Sequence, residues 1–199
     1  MRRLVLHLRA RHAPAAAGVA LLAAVGAWLA WLLASDTRQI GPPTTAFAVA
    51  LAAVAAAQTL SGADESLERT AAVDWPRLRA VHLLVVFALL VGLFSVSQAT
   101  PAQFGPLGFV LRDVAGLLGL VALGATGLGS QRAWFAPVAW CVIALPYGGS
   151  TSNHGLQVLT WMIQPVDVGA STITAIVLAV AGTGAYVRGT TRLPRTDAL

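Results

Sequence analysis

Few side chains in this sequence are equipped for chemistry, and they are scattered. The four histidines, His7, His12, His82 and His154, fall on separate segments. Glu65 and Arg69 stand four residues apart beside Glu68, which puts a carboxylate and a guanidinium on one helix face. Arg112 and Asp113 are adjacent, and Cys141 is the only cysteine, inside an apolar run. General acid–base work would need a histidine or carboxylate held against a partner. Metal ligation would need several such groups at short spacing. Phosphate binding by a P-loop would need a lysine after a glycine-rich stretch. No HExxH, GxSxG or GxxxxGK[ST] occurs, and the chain has no lysine at all. The reading is therefore no catalytic, metal or cofactor-binding residue in this chain. The histidines read as surface or interface groups and Cys141 as a small hydrophobe.

The ExxxR spacing of Glu65 and Arg69 resembles the glutamate motif of intramembrane CAAX-type proteases. Such enzymes also need histidine-bearing motifs on other membrane helices. His82 is the only histidine near an apolar run, so that reading is set aside.

The elements that must position these groups are apolar. The chain is 57% hydrophobic and 11% charged, against roughly 25% charged in soluble domains. That balance places it in a bilayer. All thirteen basic residues are arginine, which with the abundant alanine points to a G+C-rich genome and a bacterial cytoplasmic (inner) membrane. The net charge of +5 reads as contact with lipid, not nucleic acid, because arginines cluster at the ends of apolar runs.

The pattern predicts an all-α integral membrane protein of a single domain with six spans. Residues 1–13 read as an interfacial helix. The spans are expected at 14–34, 43–60, 80–97, 109–128, 134–147 and 168–187, with a tail at 188–199. The second span repeats Ala46, Ala50, Ala53 and Ala57 at helical spacing, a seam for close packing. Gly116, Gly119, Gly124 and Gly127 thin the fourth. Residues 153–164 read as a re-entrant helix capped by Asn153, too short to span. Asp167 is the expected N-cap of the sixth span. Arg112 and Asp113, near the start of the fourth, read as an ion pair of possible function: interfacial, with a pore-facing role as the alternative. With a cytoplasmic N-terminus, eleven arginines fall inside (2, 3, 9, 11, 69, 77, 79, 132, 188, 192, 195) and two outside (38, 112). This positive-inside bias puts both termini and residues 61–79 in the cytoplasm, and the re-entrant helix outside.

Residues 61–79, SGADESLERTAAVDWPRLR, are the one long polar stretch between apolar runs. Ser61 suits an N-cap with Asp64 at N3. Asp64 and Glu65 favour the positive end of a helix. The Glu65–Arg69 pair adds roughly 0.3 kcal/mol. Pro76 then starts the third span, with Trp75, Arg77 and Arg79 as membrane-interface anchors. The expectation is a short amphipathic helix between spans two and three.

A cytoplasmic helix at that position, with short outer helices between spans five and six, resembles the type-two permease family of ABC exporters, with the six-helix ABCG-like topology. LERTAAVDWPRLRAVHLL, Leu67 to Leu84, also looks like loops of small actinobacterial members. The resemblance implies that Asp64 to Ala72 is a coupling helix. Asp64, Glu65, Leu67, Glu68 and Arg69 would then contact a separate nucleotide-binding ATPase subunit. It implies ATP and Mg in that partner and none here. It also implies a second permease copy or a paralogue, and export of a hydrophobic or amphipathic substrate by the dimer. The alternative is a membrane scaffold, immunity or sensor protein with no ATPase partner.

Overall fold

The computed structural model describes residues 13–60, 75–148 and 151–189. Among them the chain is helical, without a strand. The helices are α1 Ala13–Ala34, α2 Pro42–Ala57, α3 Trp75–Ser95, α4 Leu107–Gly127, α5 Phe135–Ala144, α6 His154–Leu159 and α7 Gly169–Arg188. Single 3-10 turns lie at Val96–Ala99, Ser130–Arg132, Leu145–Tyr147 and Trp161–Ile163.

Four helices are long and apolar enough to cross a membrane: Ala15–Ala34, Pro76–Ala99, Leu107–Gly127 and Gly169–Arg188. At 1.5 Å per residue, twenty residues cover about 30 Å, the thickness of a hydrocarbon core. These lengths and compositions mark a membrane protein. The 16-residue α2 and the 10-residue α5 are apolar but shorter. After α2 the chain tightens into a turn, with Leu60 N–H donating to Ala57 O. The helix of the third span includes the residues before 80, with Pro76 near its start as expected. Pro76 sits in the first turn of α3, where its missing N–H costs nothing. Asp167 does not cap α7: its N-cap is Val168, without a side-chain bond.

α4 is the centre. It packs most extensively against α7 and also against α2, α3 and α5. The α4–α7 contact is backbone to backbone: a Cβ on Gly182 would strike Gly119 O, and one on Gly119 would strike Leu178 O. Small residues allow that approach where apolar burial drives nothing, because lipid is as apolar as the core. The alanine seam does the same for α2, whose Ala46, Ala50, Ala53 and Ala57 are all buried.

α1 and α3 run one way and α2, α4 and α7 the other, giving the bundle two poles. At one, Tyr186 Oη donates to Leu60 O at 3.0 Å and Arg79 reaches Tyr186. At the other, Trp28 Nε1 donates to Ala102 O at 3.0 Å, and Gln39 and Gln103 form a short parallel bridge. Among the described residues, Arg77, Arg79, Arg132 and Arg188 lie toward the first pole, Arg38 and Arg112 toward the second.

Candidate functional site

The polar centre of the described structure is built on Arg112 and Asp113, one turn into α4. Both are buried, Asp113 completely. Neither side chain is exposed; both are covered by neighbouring helices and by the segment before α7. α4 is buried on nearly every side, so adjacent positions both face protein. Arg112 Nε donates to Asp113 Oδ1 at 3.1 Å. Nη2 lies 3.0 Å from the same oxygen, too far off line to make a hydrogen bond.

Nη1 turns the other way. It donates to Gln164 O at 2.9 Å, to Pro165 O at 3.2 Å and to Ser171 Oγ at 3.4 Å. Ser171 Oγ in turn donates to Val168 O at 2.7 Å. One guanidinium thus ties α4 to the segment before α7 and to the first turn of α7. The ring of Phe109, one turn back on α4, lies under the guanidinium at 4.6 Å, a cation–π contact. Arginine suits this position because its planar fork donates in several directions while staying charged.

The segment it holds is folded back into the bundle. Asn153 Oδ1 accepts from the N–H groups of Gly155 and Leu156, capping α6. The following turn places Trp161, Met162 and Ile163 in the core. Gln164 Nε2 donates to Thr160 Oγ1 at 2.7 Å. Trp140 Nε1 of α5 donates to Leu159 O, and Cys141 Sγ lies 3.7 Å from Met162 Sδ. The Trp161 ring lies on Gly116, where any Cβ would collide with it. Asp113 Oδ2 and Trp161 Nε1 are buried without a hydrogen-bond partner among the described residues.

The remaining sequence candidates lie elsewhere. Asp64, Glu65, Leu67, Glu68 and Arg69 fall outside the described residues. Trp75 is the first residue of α3, and Arg77 is exposed two positions later. Arg79 is half-buried. Its guanidinium lies 5.7 Å from the Tyr186 ring centroid, and Nη1 donates to Tyr186 O at 3.5 Å. Tyr186 is fifteen positions beyond Ser171 on α7, about 22 Å along the axis. The anchors and the buried ion pair therefore sit at opposite ends of one helix and are not brought together. His82 Nε2 shares a 3.0 Å hydrogen bond with Thr59 Oγ1, joining α3 to the end of α2. His154 meets Gln157 on α6.

Sequence reasoning missed Gln164, Ser171, Trp161 and Tyr186. Only Gly116 left a signal, as one of several small residues on α4.

The fold defines a helical membrane protein whose re-folded segment is pinned to its core by one buried arginine. Searches against protein-family models, curated proteins and solved structures find no match to this chain.

Proposed function

We propose that this chain is the permease subunit of an ATP-driven ABC exporter in a bacterial cytoplasmic membrane. It would act as a dimer, with a second copy or a paralogue, and with separate nucleotide-binding subunits. The observation that carries the reading is the segment from His154 to Ile163. It lies between two apolar helices and ends by turning Trp161, Met162 and Ile163 into the bundle, as the outer re-entrant element of such permeases would. Two features agree with it. Leu60, just before the polar stretch, and Arg79, its last residue, both meet Tyr186 at the arginine-bearing pole. A polar stretch leaving and re-entering at one anchored point suits a lever that receives motion from a soluble motor. In the six-span reading, α2 and α5 are the two short crossings and both termini face the cytoplasm.

The mechanism needs no catalytic residue here. ATP hydrolysis belongs to the partner. The permease needs only two packings that bind substrate differently, since a ligand shifts an equilibrium by its differential affinity. The apolar helices suit a hydrophobic or amphipathic cargo.

The test is affinity purification of the tagged full chain from native membranes. A Walker-motif ATPase is expected to co-purify, and reversing the charges of Glu65, Glu68 and Arg69 together should release it and abolish export. If no ATPase associates, the exporter reading fails and the scaffold or sensor reading takes its place; if the reversed variant still exports, Glu65, Glu68 and Arg69 do not form the coupling contact.

A further inference from the structure

Asp113 is an acid that the exporter reading leaves without a task. It is fully buried, about 9 Å along α4 from the first residue of a helix long enough to cross a membrane. Ionisable side chains in such places are costly to keep and mark ion or proton pathways. Its two oxygens are treated unequally. Oδ1 faces both Nε and Nη2 of Arg112, whereas Oδ2 is buried without a donor among the described residues. An ionised carboxylate has about four acceptor sites, and here one hydrogen bond reaches it.

Arg112 does not rest on Asp113 alone. Its Nη1 is shared by Gln164 O, Pro165 O and Ser171 Oγ, and its guanidinium lies over Phe109. Loss of the carboxylate charge leaves those partners in place. Two charge states of the pair therefore fit one fold. With Asp113 ionised, the pair is neutral and the Nε bond is charge-assisted at both ends. With a proton on Oδ2, that bond weakens and Arg112 becomes a buried cation without an anion, held less firmly by neutral acceptors.

Solvent is near on one side. Arg112 is 6% exposed, and Pro165, Val166 and Asp167, which follow the clamped Gln164, are exposed. Few other charges compete. From α5, Cys141 lies close enough to sense the Asp113 charge. α2 carries no titratable residue. Arg132 and the charged or titratable residues of α3 and α7 sit toward the opposite pole. Asp36, Arg38, Tyr147, His154 and Asp167 are exposed.

We propose that Asp113 Oδ2 is a reversible proton-binding site, filled from the pole that carries Arg38 and Arg112. Its occupancy sets how firmly Arg112 grips the segment before α7. Trp161 reports that grip, because its ring lies on Gly116, one turn beyond Asp113. The site is independent of the exporter reading and requires no ATPase.

The test is infrared difference spectroscopy of the full chain in dodecyl maltoside micelles, titrated from about pH 9 to about pH 4. Wild type minus D113N should show one carboxylic-acid carbonyl band that grows on acidification and shifts in heavy water. Tryptophan fluorescence should change in step with that band in the wild type. D113N, which is neutral at every pH, should lack that step. Should D113N fail to fold by circular dichroism, D113E is read in its place and should move the band to a new frequency. The proposal is overturned if no such band is seen, if its intensity is constant across the titration, or if D113E leaves its frequency unchanged. A band that titrates without the fluorescence step, or a step that persists in folded D113N, overturns the link to the Arg112 grip.

Discussion

Removing Arg112 alone should damage this protein more than removing the ion pair entirely. In R112M the Asp113 carboxylate stays in a site with no solvent exposure and loses its cation. Leaving one charge of a buried pair uncompensated costs about 3–5 kcal/mol. The same change frees the carbonyls of Gln164 and Pro165 and the hydroxyl of Ser171 from their shared donor. In D113N the guanidinium keeps those three acceptors and the Phe109 ring, so the loss should be only about 1–3 kcal/mol. The double variant R112M/D113N carries no buried charge. It forfeits only the tie to the segment before α7, again about 1–3 kcal/mol. The double variant should thus fall short of the sum of R112M and D113N by at least about 2 kcal/mol. The assay is equilibrium unfolding in mixed micelles by denaturing detergent, followed by tryptophan fluorescence. Losses that add to within about 0.5 kcal/mol would show the two residues to be uncoupled and refute the reasoning.

The other expectations concern packing and capping. Gly182→Ala sets a Cβ against the Gly119 backbone, 2.7 Å from its carbonyl carbon, and should cost about 1–3 kcal/mol in the same titration. Gly184→Ala, with nothing within 4 Å of the added Cβ, should stay within about 0.5 kcal/mol of wild type. Asn153→Ala removes two N–H partners and should weaken α6 by about 1 kcal/mol, while Asn153→Asp preserves the cap. Faster amide exchange at Gly155 and Leu156 in the alanine variant, and not in the aspartate one, is the readout.

How much could be read in advance varied with how local the cause was. The Asn153 cap was legible, because a capping side chain meets N–H groups two and three residues on and needs no distant partner. The alanine seam of α2 was legible as a small-residue repeat. The surroundings of Arg112 and Asp113 were not. Their place in the first turns of an apolar run marked an interfacial or pore-facing pair and said nothing of which neighbours would cover them. The partners of Arg112, namely Gln164, Pro165 and Ser171, come 52 to 59 positions later. Asp167 looked like a better cap than Val168, but the helix starts where the chain leaves Arg112, two residues past the aspartate.

By itself the sequence determined the solvent and the elements. Scarce charge, long apolar runs and polar punctuation specify helices in a bilayer, because an unpaired backbone amide is costly in hydrocarbon. The arginine distribution likewise made one pole cationic before any contact was known. Tertiary structure decided which small residues face one another, that residues 160–164 turn into the core after α6, and that Arg112 clamps the chain just beyond them. Those outcomes depend on where α4, α5 and α7 meet. Helices in an apolar medium choose neighbours by surface fit and a few polar ties, and neither leaves a periodic mark in sequence.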